Sequence, residues 1–195
     1  MHDIVPRSEI YGPGPRWVIW VQGCSLGCEG CWNKDTWAKK SGSIVEVSEL
    51  LREIRETDGI EGITILGGEP LQQAVPVLSL ITGTKSLGLT VMLYTGFEPS
   101  EFDETMRDCY EASDIAITGR FVQAERDLGL LWRGSSNQVI ESPSGRYSNL
   151  LFEEAQEIEI HIDHDTGAVT VLGYPDENLL HELEDIVGPL RGRGE

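Results

Sequence analysis

The run Trp17 to Val21 (WVIWV) constrains this chain more than any other feature, because it offers water no polar side chain on either face. A strand of that kind has to be covered on both sides. That happens in mostly parallel sheets flanked by helices, not in half-solvated antiparallel ones. The segments that follow agree. Val47 to Glu56 carries Leu50, Leu51 and Ile54 at helical spacing, with Ser48 as the expected N-cap. Ile63 to Leu66 reads as a second strand ending at Gly67-Gly68, and Ala74 to Leu87 as a helix with Pro76 in its first turn. Thr90 to Tyr94 is a third strand. Ser100 to Tyr110 is a helix with Phe102, Met106 and Cys109 on one face. Ile115 to Ile117 and Asn137 to Ile140 are a fourth and a fifth strand.

Alternating strands and helices imply an α/β protein with a mostly parallel sheet. Five or so units are too few to close an eight-stranded barrel. The expected core is therefore a partial, open (β/α) barrel over residues 1–147. Beyond Tyr147 the pattern changes. Glu157 to Asp163 (EIEIHID) alternates polar and apolar, His164 to Gly167 has turn chemistry, and Ala168 to Leu172 follows as a strand. Residues 148–195 thus read as an appendage: an antiparallel hairpin with one buried face, then a helix over Glu177 to Val187, then a tail from Gly188 to Glu195 expected to fray.

Composition narrows the function. A length of 195 residues with 39% hydrophobic content suits one ordinary domain plus a short appendage. No apolar run approaches the ~18 residues that span a bilayer, and Met1 to Arg16 holds no apolar signal region. These features imply a soluble, cytoplasmic protein without a membrane partner. The net charge of −18 repels nucleic-acid phosphates and makes nucleic acid an improbable ligand. Lysine occurs only at positions 34, 39, 40 and 85.

Three of the four cysteines fall within eight residues, as Cys24-x3-Cys28-x2-Cys31. A secreted disulfide scaffold spreads its cysteines, whereas crowded thiolates are soft ligands suited to iron–sulfur clusters. Gly23, Gly27 and Gly30 interleave the thiols and permit the backbone angles of a tight wrap. The loop leaves the carboxyl end of a buried strand, the edge where α/β sheets bind ligands. A structural zinc site or an electron-transfer cluster wants four ligands, and three leave one iron open. Cys109 could complete the set, but its apolar helical face reads as a small core residue. A zinc knuckle completed by a distant histidine is the other alternative. His161 and His164, three apart on a strand, point to opposite faces and form no metal pair.

The triplet resembles the radical S-adenosylmethionine (SAM) signature. More narrowly, the chain resembles the family of activating proteins of anaerobic ribonucleoside-triphosphate reductase. The matching stretches are Gly12-Pro-Gly14 with Arg16, VQGCSLGCEGCWNKDTW from Val21, GGEPL from Gly67, YTGF from Tyr94, GRFVQ from Gly119 and WRGSSNQ from Trp132. They span roughly residues 8 to 141, in the family's order. The resemblance implies a radical SAM fold with a [4Fe-4S] cluster on Cys24, Cys28 and Cys31, and S-adenosyl-L-methionine chelated at the open iron. It implies SAM contacts from Gly30 and Trp32, where relatives usually carry Tyr, and from Gly67, Gly68 and Glu69, where the reductase activases often carry Asp. No side chain is required as a general acid or base. The expected partners are a large glycyl-radical enzyme, the anaerobic ribonucleotide reductase, and an electron donor such as flavodoxin or ferredoxin. Two alternatives stay open at this point: the same fold acting on another protein or a small molecule, and a non-catalytic metal-binding module. Thr95-Gly96 lines the same pocket or merely ends a strand. Arg133 pairs with a carboxylate or holds its loop.

Overall fold

The computed structural model describes residues 1–149, 157–173, 175 and 177–187. The tail expected to fray lies outside these residues. The central run is strand β2 (Arg16–Val21), and all six of its residues are buried. It pairs in parallel with β3 (Gly62–Gly67), β3 with β4 (Thr90–Tyr94), and β4 with β5 (Ile115–Thr118). Two antiparallel strands finish the edges, β1 (Asp3–Ser8) against β2 and β6 (Val139–Glu141) against β5. The six strands lie in sequence order, as an open and mostly parallel sheet. Helices α1 (Val47–Glu56), α2 (Ala74–Ser86) and α3 (Glu104–Ala112) connect them. Trp17, Ile19, Ile63, Ile65 and Val91 face those helices, packed on Leu50, Ile54, Val77 and Ile81.

The opposite face is the inner one. Val18 and Trp20 are buried there with Val5 and Leu66, and Met92, Ile115 and Ile117 with Tyr147. Arg16 is buried among them. Its guanidinium donates to the hydroxyls of Thr64 (2.8 Å) and Thr90 (3.0 Å) and to the carbonyls of Ile63 and Thr90. Burial lowers the Arg16 pKa, with Tyr147 and Glu61 opposing that shift. The Tyr147 hydroxyl donates to Glu61 and thereby closes this end of the inner face.

The appendage is a two-stranded sheet, β7 (Ile158–Ile162) and β8 (Val169–Gly173), followed by α4 (Glu177–Val187). Leu172 buries itself against the cluster of Val5, Val18 and Trp20. Ser8 donates to Glu159, and the Gly173 N–H to the Tyr11 hydroxyl (3.2 Å). The apolar side of the hairpin is covered unevenly: Val169 and Val171 are buried, while Ile160 and Ile162 stand 43% and 69% exposed. His161 pairs with Glu159 at 3.0 Å and His164 is exposed at the turn. Among the described residues no helix is long and apolar enough to cross a membrane.

Several expectations need correction. The N-terminal stretch supplies strand β1, hidden in sequence by Pro6, which an edge strand tolerates. Helix α1 starts before Ser48: the Glu46 carbonyl accepts from the Glu49 and Leu50 N–H groups, so Ser48 lies inside the first turn and Glu46 is the N-cap. The third helix breaks. Pro99–Glu101 forms a short 3-10 turn, and α3 begins anew where the Asp103 carboxylate accepts from the Met106 N–H (2.8 Å). The last strand of the main sheet begins at Val139, not Asn137, and runs antiparallel.

Leu172 and Asp114 anchor this packing at two separate points. Leu172→Ala should destabilise the protein by about 3 kcal/mol, the usual cost of emptying a buried leucine site, measured by denaturant unfolding. Asp114 is the second case. Its carboxylate accepts from Lys85 Nζ (2.6 Å), the Val91 N–H and the Ser144 hydroxyl at the start of two central strands. Burial acts to raise its pKa, but these donors outweigh it and the pKa is lowered. A lowered carboxylate stabilises the fold above its unfolded pKa and loses that contribution as pH falls through the folded value. Asp114→Asn should cost about 2 kcal/mol at neutral pH, and the gap to wild type should shrink as unfolding is repeated in acid.

Candidate cluster and cofactor site

The parallel strands end on one edge, and the loops leaving β2, β3, β4 and β5 meet there. Cys24, Cys28 and Cys31 line a cleft of about 130 Å³ together with Trp32, Gly67, Gly68 and Glu69. All three thiols are free and half-buried. Gly30 lines the same cleft. The sequence-selected residues are therefore brought together without exception.

Backbone contacts fix the loop. The Gly23 N–H donates to the Thr36 carbonyl (2.6 Å) and the Cys24 N–H to the Trp37 carbonyl (3.1 Å). On the other side the Gly68 N–H donates to Val21 and the Glu69 N–H to Gly23, each at 2.9 Å. These bonds need bare glycines. A Cβ on Gly68 would sit 2.4 Å from the Gly23 carbonyl oxygen, and one on Gly67 would sit 2.6 Å from the Val21 nitrogen at a φ of +110°. Gly30 adopts a φ of +70° with the Gln123 side chain packed over it.

Glu69 is 1% exposed. One carboxylate oxygen accepts from the Leu71 N–H (2.9 Å) and the Thr95 hydroxyl (2.8 Å), the other from the Gly96 N–H (2.7 Å). Burial raises its pKa against the pull of those donors. Glu69 thus ties the end of β3 to the end of β4, a role sequence reading does not reveal. Thr95 and Gly96 line the cleft rather than simply ending a strand.

The far wall comes from residues 119–138. Phe121, Arg126, Leu128, Gly134 and Gln138 face the cleft. Two stretches pair there: the Ser136 N–H donates to Glu125 (2.9 Å) and the Asp127 N–H to Gly134 (3.2 Å). The Arg126 guanidinium lies 5.7 Å from the Trp32 ring centre. Arg133 holds its loop by donating to the Gln138 carbonyl (3.3 Å). Trp132 is the one non-glycine residue at positive φ (56°) among the described residues. Arg120 pairs with Glu101 through both oxygens (2.7 and 2.8 Å), holding the Glu101 carboxyl down to about 2. From sequence, WRGSSNQ could shape either the partner-binding edge or the SAM pocket, and Gly134 and Gln138 of it line the cleft, whereas GRFVQ carried no assignment to this wall. The available signal was that GRFVQ leaves β5 at the ligand-binding edge.

The donor set suits an iron–sulfur cluster. Among the described residues no three His, Cys, Asp or Glu side chains are arranged to hold a single metal ion. A cubane gives each thiolate its own iron, so its ligands need not converge on one point. Burial is the first cause raising the pKa of Cys24 and Cys28. Without a bound cation these thiols stay protonated in neutral solution, and ligation releases their protons. No fourth thiol reaches the cleft. Cys109 is buried against the helices, donates to the Ala74 carbonyl (3.4 Å) and has its pKa pushed up to about 12. Gly68→Ala should lower stability by about 2 kcal/mol through overpacking and shift the cysteine loop, read by thermal unfolding and by faster alkylation of the three thiols.

Residues 10–141 match the family described as a 4Fe-4S single cluster domain. The chain is 33% identical over 147 residues to the anaerobic ribonucleoside-triphosphate reductase-activating protein of Vibrio cholerae, covering 71% of this chain and 95% of that protein. Identity to the protein of the same name from Escherichia coli K12 is also 33%, covering 96% of it. The counterpart from phage T4 is 32% identical over 148 residues, with 91% of it covered.

Proposed function

The chain belongs to the anaerobic ribonucleoside-triphosphate reductase-activating proteins, a family built on a single 4Fe-4S cluster domain, and from that premise we propose that Cys24, Cys28 and Cys31 hold the cluster while the neighbouring loops hold SAM. It is a radical SAM enzyme. The cofactor pair supplies one overall reaction: one electron, SAM and a backbone glycine C–H give methionine, 5′-deoxyadenosine and a glycyl radical. The glycine belongs to a large partner, the anaerobic ribonucleotide reductase. The electron comes from a low-potential donor such as flavodoxin or ferredoxin, and both encounters take place in the cytoplasm.

The observation that carries this reading is three half-buried thiols on one cleft with no fourth thiol on it among the described residues. The protein's own residues bind, orient and exclude. Gly67 and Gly68 let backbone groups approach the methionine end of SAM. Glu69 holds the Thr95–Gly96 corner in place and keeps a carboxylate beside the cleft for the SAM ammonium. Trp32, with Arg126 near its ring, offers an aromatic face to adenine. Gly30 leaves room for the Gln123 side chain beside the cysteine loop. Phe121 and Leu128 on the far wall help to keep water out. We assign residues 1–147 to the catalytic core. Residues 148–195 form an extension whose hairpin caps the inner face through Leu172.

Anaerobic reconstitution tests the proposal. Wild type should bind about four irons per chain, cleave SAM to 5′-deoxyadenosine when reduced, and give a glycyl radical signal by electron paramagnetic resonance once the reductase is added. Each single Cys→Ala change at 24, 28 or 31 should abolish SAM cleavage, whereas Cys109→Ala should leave it intact. An intact cluster without SAM cleavage would refute the enzymatic reading. SAM cleavage without a glycyl radical would point to a different substrate.

A further inference from the structure

Charge is distributed unevenly on this protein. The chain carries −18, yet residues 31–40 hold three lysines against one aspartate, a local +2. Lys34, Lys39 and Lys40 are all exposed, and none forms an ion pair among the described residues. The fourth lysine, Lys85, is committed to buried Asp114. The stretch bearing the three exposed lysines, a 3-10 turn over Lys34–Thr36 and the turn after it, is also rigidly built. Buried Gln22 donates through Nε2 to the carbonyls of Asp35 and Ala38, each at 2.9 Å. Thr36 is buried and donates to the Asn33 carbonyl. The Gly23 and Cys24 N–H groups donate to the carbonyls of Thr36 and Trp37. The stem of Lys39 packs over Gly23.

From this arrangement we infer that Lys34, Lys39 and Lys40 form the docking surface for an acidic electron-carrier protein. The inference rests on the assignment of Cys24 as a cluster ligand. An electron carrier has to come close to the cluster without occupying the cleft that the reductase glycine enters. The lysine turn meets both needs. Its Trp37 carbonyl accepts from the Cys24 N–H, and among the described residues none of its lysines lines the cleft. Its charge also selects the partner. A protein of net −18 repels another acidic protein at long range, so a local basic surface is what orients and accelerates the encounter. One electron leaves the reduced flavin or iron–sulfur group of the carrier and enters the site held by the three thiolates. No bond forms or breaks in the transfer, and the carrier is left oxidised by one electron.

The test uses the reconstituted full chain and a variant combining Lys34→Glu, Lys39→Glu and Lys40→Glu, with iron content checked first. Cluster reduction is followed by anaerobic stopped-flow absorbance with two reductants, a reduced acidic flavodoxin and photoreduced deazaflavin. With flavodoxin at low salt the variant should be reduced about ten-fold or more slowly than wild type, and its rate should no longer fall as salt is added. With deazaflavin the two proteins should match. Lys→Gln at the same three positions should show a smaller loss of the same kind, and it decides the matter if the Glu variant loses iron. Equal flavodoxin rates would overturn the proposal. So would an unchanged flavodoxin rate combined with a lower glycyl-radical yield under deazaflavin, which would assign the surface to the reductase. A wild type that binds no iron would overturn the cluster assignment beneath it. That outcome is distinct from a wild type that is reduced by both agents.

Discussion

The site depends on a seam of backbone contact between two loops. The turn after β3 donates to Val21 and Gly23 through consecutive N–H groups, and a side chain at Gly68 would strike the Gly23 carbonyl. The cysteine loop is thereby laid against the glycine turn at backbone distance. Its other edge is held by Thr36 and Trp37. Both edges of one short segment are therefore pinned by peptide groups, which have far fewer conformational options than side chains. The backbone of Gly23 and Cys24 is held in this way from both sides.

Glu69 extends the same logic to the next strand. A carboxylate 1% exposed to solvent is costly unless its oxygens are satisfied. Here all three donors come from the loops that frame the cleft, and two of them belong to the Thr95–Gly96 corner. Removing the charge would leave those donors unpaired, so the residue stabilises the shape of the cleft as well as lining it. At the other end of the inner face, Arg16 performs a comparable task with opposite charge. It gathers the hydroxyls of Thr64 and Thr90 and, through Glu61 and Tyr147, the last turn of the core. An open sheet of this kind has no closing strand to complete the inner face. It is filled instead by one buried guanidinium network and by Leu172 from the hairpin.

What could be read from the sequence was what is local. The buried run Trp17 to Val21, the cysteine spacing and the glycine pair after Leu66 are each contiguous, and each sits in the structure where its pattern placed it. The failures were non-local or concerned boundaries. Strand β1 has Pro6 in it and a register shift between Val5 and Ser8, so no clean alternation announces it. Ser48 looked like a cap because serine favours that position, but Val47 packs on the core and the N-cap lies two residues earlier, at Glu46. The bonds from Glu69 to Thr95 and Gly96 cross more than twenty residues of sequence, and nothing in either segment names the other. The wall at residues 119–138 is irregular backbone whose pairing involves single residues on each side, beneath the resolution of any periodicity.

The uneven placement of lysine then takes on a physical meaning that composition alone did not give it. Read as a list, four lysines in an acidic chain describe only a scarcity. In the fold, one of the four neutralises a buried aspartate, and the other three lie in residues 34–40, a 3-10 turn and the turn after it, a stretch anchored by Gln22 and hydrogen-bonded to a cysteine of the candidate cluster. Flexible basic segments attract acidic partners without orienting them, because the charges move independently of the reacting centre. A stretch fastened at four carbonyls keeps the backbone that carries these lysines at a constant distance from Cys24. Attraction exerted through such a stretch would bring an acidic partner to one place on the protein, beside the candidate cluster site.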